Sequence, residues 1–388
     1  MKYLATLFIS LVLAGCASAP PASDPSRLFS DAAFAPPSER VGVDDLFTLS
    51  PAMRAYIDTP AFRAELRVKG PERGLFDALY RKGELQIEYN AATTRNAAQT
   101  YAAGSGNCLS LVIMTAAFAK ELGLSPHFQN VIVDETWSRE GALYLSNTHA
   151  NLRLGPRLDW GEAGDPARQL TIDFLPPKDL ASYRAYPLME HELKAMYMNN
   201  RAVEAMLAGR LDDAYWWARG AVTGDPASAV GYNTLGVIYQ RHGDMPMAER
   251  AFRLALEREP ENLVAMRNLV PVLTKLDRDG ESQALARRLA AIQPEPAFHF
   301  FTLGRAAMER GDFGAAKALF AREVKRAPYY DEFHFWLGLA HFSLGETEQA
   351  REQLALALKT SNTSDGRGRY AAKLDRMRAQ DGQRAPAF

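Results

Sequence analysis

Cysteine is almost missing from this chain of 388 residues: there are two, Cys16 and Cys108, far too few for a disulfide framework. A surplus of either charge is missing as well. Forty-five basic residues face 46 acidic ones, which argues against a protein that binds nucleic acid through its phosphates. Beyond residue 20 no apolar run approaches the roughly 20 residues of a membrane-spanning helix. No His, Cys and carboxylate set has metal-ligand spacing, and no glycine-rich phosphate loop follows a strand, so neither metal nor nucleotide cofactor is expected. What remains is a chain long enough for two or three domains, each with its own core.

The first residues differ from the rest. Lys2 precedes a short apolar run, Leu4 to Leu13, and then comes Leu13-Ala14-Gly15-Cys16. That tetrapeptide resembles the lipobox of bacterial lipoproteins, which implies a signal peptide over residues 1–16, lipidation of Cys16 and attachment to the membrane through the lipid. The other reading is a plain secretory signal cleaved nearby. Ala17, where Asp is not found, implies by the same resemblance a lipid-anchored protein of the cell envelope, on the outer membrane and facing the periplasm. Residues 17–45, with Pro20, Pro21, Pro25, Pro36 and Pro37, read as a flexible tether. With Cys16 lipidated, Cys108 has no disulfide partner. A lone thiol in an oxidising compartment is a liability, which points to a chemical role.

Cys108 lies in the stretch from Gly104 to Gly123. Leu109, Val112, Ile113, Ala116, Ala119 and Leu122 recur at helical spacing, and Gly123 suits the left-handed residue that ends a helix. Cys108 then falls in the first turn, where unpaired N–H groups and the positive end of the helix dipole favour a thiolate. Such a cysteine can be a nucleophile, with its own N–H aimed at the oxygen of an acyl substrate. The plainer alternative is a small buried residue at a helix start.

Around this helix the pattern is α+β. Ser50-Pro51 marks a helix start, with helices expected over 51–57, 60–69, 75–82 and 93–103. Strands are expected over 128–134, 142–145, 149–154 and 170–175, ended by Pro176-Pro177. Alternation along two neighbouring strands can set His149 and Asp173 on one face, beside the helix start that bears Cys108. His127 is a rival histidine in the loop after the helix, and Asp159 and Asp165 are rivals in a Gly/Pro-rich loop. Gln99, chosen for polarity and proximity, is the candidate second oxyanion donor.

Gly-Asn-Cys at a helix start, a later His at a strand start and an Asp in the next strand together resemble the transglutaminase-like cysteine enzymes, a papain-related α+β superfamily. The resemblance covers about residues 46 to 185. It implies Cys108 as nucleophile, His149 as general base and Asp173 as the residue that fixes the imidazole. One position departs: His149 is followed by Ala150-Asn151, where many members carry His-Ala-Trp.

From Met196 onward the sequence repeats. Pro226, Pro260, Pro294 and Pro328 are spaced at 34 residues, the period of the tetratricopeptide repeat. Tyr232, Leu235, Gly236, Tyr239, Gly243, Ala248, Phe252, Ala255 and Pro260 fill every signature position of one unit. Five units are expected, the one from Leu263 to Pro294 being the loosest, since Val270 and Ser282 replace small residues. Trp216, Trp217, Trp336, Tyr329 and Tyr330 are expected to pack at repeat seams and against the first domain. The fold class is therefore an α+β transglutaminase-like domain (46–190) followed by an all-α tetratricopeptide-repeat solenoid (191–360). A short capping helix near 370–378 and a disordered end complete residues 361–388.

Two functions are compatible with this organisation. One is an anchored cysteine enzyme that acts on a protein or peptide amide, as peptidase, amidase or acyl transferase, with the repeats holding a protein or peptide partner. The other is a non-catalytic envelope scaffold that recruits proteins through the repeats.

Overall fold

The computed structural model describes residues 25–80, 88–89, 93–132, 137–140, 143–146, 149–155, 170–174, 184–361 and 364–382. The lipobox, Asp159 and Asp165 lie outside the described residues. Short polar caps start the first helices. Ser50 and Thr59 accept the Met53 and Phe62 N–H groups ahead of α1 (Pro51–Ile57) and α2 (Pro60–Lys69), each with proline in the first turn. α3 (Pro71–Tyr80) starts four residues before the expected Leu75. Parallel β1 (Glu88–Tyr89) and β2 (Ser105–Gly106) flank α4 (Ala97–Ala103).

Next comes α5 (Cys108–Glu121), whose residues Leu109 to Ala119 are all buried. A helix apolar on every side belongs inside a core. Gly123, at φ 73°, is left-handed as the sequence requires for the helix end.

β3 (Ser125–Ile132), β6 (His149–Gly155), β7 (Leu170–Ile172) and β8 (Arg184–Leu188) make an antiparallel sheet in the order β7-β6-β3-β8. β4 (Trp137–Glu140) and β5 (Leu143–Ser146) form a separate pair just ahead of His149. β8 and β4 escaped the sequence reading. In β8, Pro187 pairs with Gln129 on an edge strand, where a missing N–H is tolerated.

Five helix pairs follow: α6 (Glu190–Leu207) with α7 (Leu211–Gly224), α8 (Ala229–His242) with α9 (Met245–Arg258), α10 (Leu263–Lys275) with α11 (Asp279–Ile292), α12 (His299–Glu309) with α13 (Phe313–Arg326), and α14 (Asp331–Ser343) with α15 (Thr347–Thr360). The region is a solenoid of tetratricopeptide repeats. Its glycines have a steric purpose: a Cβ on Gly236 or Gly304 would come within 2.6 Å of the Phe252 or Phe320 ring, one seam repeated two units later. α16 (Ser364–Gly382) caps the array over Leu354 and is longer than the helix expected there. Among the described residues no helix is long and apolar enough to cross a membrane.

One apolar core runs from Leu28 through the sheet and α5 into the repeats as far as Leu273, passing the boundary expected at 190. A second core begins at Phe298. The break between them falls within the unit expected to be loosest, whose α10 still packs in the first core. α10 contains Pro271, and Ser282 is the one buried residue of α11, its hydroxyl bonded to Thr274 and the Val270 carbonyl. Past the gap, α12 restarts on a buried carboxylate: Glu323 accepts the Phe300 and Phe301 N–H groups at 2.9 and 3.3 Å.

The tether is corrected from residue 25 onward. Residues 25–45 include two short 3-10 turns, Pro25–Leu28 and Asp31–Ala33, and lie strapped across α7 and α8. Phe34 stacks on Tyr215 with centroids 3.9 Å apart. Asp31 accepts from Tyr215, Asp213 accepts from both Ser38 N–H and hydroxyl, and the Tyr239 hydroxyl donates to the Leu28 carbonyl. Trp216 and Trp217 donate to the Ala35 carbonyl and to Glu39. Tyr329, also expected to pack, is exposed, whereas Trp217 is buried and Trp216 half-buried against the strap. Trp336 packs at a repeat seam, beside Phe301, Phe320 and the Arg305 guanidinium.

Candidate active site

Asn107 makes the helix start. In extended conformation at the N-cap, it accepts the Ser110 N–H with its side-chain oxygen at 2.9 Å and makes Cys108 the first residue of α5. The N–H of Cys108 is one of the four that an α-helix leaves without an intrahelical partner. The thiol is free and half-buried.

His149 opens β6, opposite Val131 of β3. His149 and Asn151 alternate with Ala150 and Leu152, so the two polar side chains share one face of the sheet. β7 pairs with β6 through Leu152 and Ile172, and continuing that register sets Asp173 opposite Asn151. The result is a compact polar cluster. Nε2 of His149 lies 2.7 Å from Oδ1 of Asp173, and Asn151 donates to the other carboxylate oxygen at 2.8 Å. His149 and Asn151 are 6% and 5% exposed, so these bonds are shielded from solvent.

The Cys108 thiol lies close enough to the same imidazole to interact with it. With Nε2 given to Asp173, Nδ1 is the nitrogen left for sulfur. Burial alone would depress the imidazole. The hydrogen bond to Asp173 and the interactions with Cys108 outweigh it and push the pKa up to about 9. Sulfur, imidazole and carboxylate are thus brought to one place, the last two joined by a hydrogen bond, although Asp173 comes 65 positions after Cys108 in the sequence.

The other sequence candidates are placed differently. Gln99 is at the third position of α4, where its Oε1 accepts the Asn96 N–H at 3.2 Å while Asn96 accepts the Gln99 N–H at 2.9 Å. This capping box engages the carboxamide oxygen. His127 lies on β3 opposite Arg153 and is exposed. Asn151 is the residue that sequence reasoning passed over. The break in His-Ala-Trp drew attention to its position, but its bond to Asp173 depends on the register between β6 and β7. Among the described residues no cluster of three or more His, Cys, Asp and Glu side chains is arranged to hold a metal ion.

Two tetratricopeptide-repeat family models match the chain, over residues 229–262 and 301–365. No curated protein matches it. Among solved structures it is similar to YrrB, described as a tetratricopeptide-repeat protein with an unusual peptide-binding site, at 22% identity and a TM-score of 0.26 over 48% of this chain and 94% of YrrB. It is also similar to MamA from Desulfovibrio magneticus RS-1, at 17% identity and a TM-score of 0.26 over 44% of this chain and 97% of that one. The C-terminal region is an array of tetratricopeptide repeats, the architecture of protein-interaction surfaces.

Proposed function

We propose that the chain is a cysteine enzyme of the transglutaminase-like class that attacks a protein or peptide amide through Cys108. The observation that carries this reading is the His149–Asp173 hydrogen bond beside Cys108 at the start of α5, whose thiol acts on the same imidazole. The Cys108 sulfur, its proton passed to His149, adds to the amide carbonyl. The oxyanion forms next to the Cys108 N–H at the helix start. The imidazolium then protonates the departing amine as the C–N bond breaks and a thioester remains. Water or a second amine, deprotonated by His149, attacks the thioester and releases the sulfur. Asp173 keeps the ring oriented and favours its charged form, and Asn151 steadies Asp173.

The repeats offer a surface for a protein or peptide partner, which would bring an amide to the sulfur. Leu13-Ala14-Gly15-Cys16 supports lipidation at Cys16 and a place in the cell envelope, on the outer membrane and facing the periplasm. Intact-mass measurement of protein extracted from membranes tests this: the diacylglyceryl mass on a chain that begins at Cys16 is expected, and an unmodified cysteine refutes it.

The catalytic reading is tested by alkylating Cys108 with iodoacetamide near neutral pH. Cys108 is expected to react faster than free cysteine, and His149→Ala to remove the advantage. A parent thiol no faster than free cysteine refutes it. The repeats themselves favour a second reading, a scaffold in which the first domain has lost its activity. Under that reading a cellular phenotype survives Cys108→Ala.

A further inference from the structure

The first repeat helix reaches into the candidate site through a continuous set of hydrogen bonds. Thr94 is fully buried in the segment that leads into α4. Both of its backbone groups are taken by α6: its N–H donates to Glu204 at 2.6 Å, and its carbonyl accepts from Arg201 at 3.3 Å. Arg201 is held from behind, where Glu39 of the strap accepts two bonds from it at 3.0 Å each. Clamped this way, Thr94 presents its hydroxyl to the Asn107 side-chain amide, which donates to it at 2.7 Å.

That bond decides which way Asn107 faces. With its nitrogen on Thr94, its oxygen is turned to the Ser110 N–H at 2.9 Å and the Ser110 hydroxyl at 2.8 Å. Ser110 in turn accepts the Arg95 N–H at 2.9 Å, so the segment is pinned at two successive residues. Asn107 is the N-cap and Cys108 the next residue, so the cap sets the direction in which the sulfur leaves the backbone. Without the Thr94 hydroxyl, the Asn107 amide is a buried donor with no acceptor, held only through its oxygen on Ser110.

We propose that Arg201 and Glu204 of the first repeat helix are positioning residues for Cys108, acting through Thr94 and Asn107 on the cap of α5. This inference rests on the enzymatic reading above. It makes the solenoid part of the scaffold of the site as well as a surface for partners.

The test compares the full chain with Thr94→Val, Thr94→Ser, Glu204→Ala and Glu204→Gln. Alkylation of Cys108 by iodoacetamide is followed against pH by peptide mapping, and thermal midpoints are recorded alongside. Thr94→Val and Glu204→Ala are expected to slow alkylation about fivefold near neutral pH, the loss of one buried hydrogen bond. Thr94→Ser keeps the hydroxyl and Glu204→Gln keeps an acceptor oxygen, so both are expected to restore the rate. A merely structural effect would instead follow the thermal midpoint. Should Thr94→Val not fold, the two Glu204 variants make the same comparison. Equal rates across the series, with a parent thiol more reactive than free cysteine, overturn the inference and leave the enzymatic reading intact. So does a failure of the Ser and Gln variants to restore a lost rate. A parent thiol no more reactive than free cysteine overturns the enzymatic reading, and the inference with it.

Discussion

Replacing Asp173 with asparagine asks whether the carboxylate sets the charge of the imidazole. The bond between them is 2.7 Å long, and each side chain is 7% exposed. A charge-assisted hydrogen bond in such surroundings is worth about 1.5 to 3 kcal/mol, which is about one to two pKa units. His149 is therefore expected to titrate near 9 in the parent and about one to two units lower in Asp173→Asn. Asn151 sharpens the outcome. It donates to the second carboxylate oxygen, so the substituted carboxamide keeps its oxygen towards Asn151 and turns its NH2 towards Nε2. The ring must then hold its proton on Nδ1, the nitrogen that faces sulfur, and it loses its function as a base. Alkylation of Cys108 near neutral pH is expected to fall about 10- to 100-fold. NMR titration of the imidazole reads the pKa directly. The folding equilibrium carries the same sign. The raised folded-state pKa stabilises the protein fully below about 6.5, and that stabilisation disappears as the pH rises through about 9. A parent imidazole that titrates at or below 6.5, or a titration unmoved by Asp173→Asn, refutes the reasoning.

Two further outcomes follow from packing. Gly304→Ala drives a Cβ to 2.6 Å from the Phe320 ring and is expected to cost about 1 to 3 kcal/mol, read by denaturant unfolding. Phe320 belongs to the second core, so Cys108 alkylation should be unaffected; a fall in it would mean that the two cores communicate. Phe34→Ala deletes the ring stacked on Tyr215 and is expected to cost about 3 kcal/mol and to expose residues 25–45 to proteases. Unchanged unfolding and protease resistance would mean that the strap is not held by that ring.

Much of this structure is legible locally. Ser50 and Thr59 act as the caps that Ser-Pro and Thr-Pro lead one to expect, and the recurring prolines mark the ends of helix pairs. The order of Cys108, His149 and Asp173 could be read because the start of a helix and the alternation of a strand are both short-range patterns. What escaped depends on distant partners. The strap has no periodicity of its own, and Asp213, Tyr215 and Tyr239, which fix it, lie more than 170 residues away. Gln99 is the local exception: Asn96, three residues before it, takes its oxygen in a capping box, whereas an oxyanion would call on its NH2 group. Asn151 reads as a deviation from His-Ala-Trp until β7 is laid beside β6.

Because the strap is docked from Pro25 onward, the folded part of the chain begins much closer to the N-terminus than composition suggests. With attachment at Cys16, eight residues (17–24) remain to be paid out, against 29 for a tether that ran to residue 45. At about 3.5 Å per residue, maximum reach shrinks from about 100 Å to about 30 Å. If the proposed lipid anchor and activity hold, an enzyme on so short a leash would sample a thin layer beside the bilayer. Its substrates would have to be found within that layer or be delivered into it.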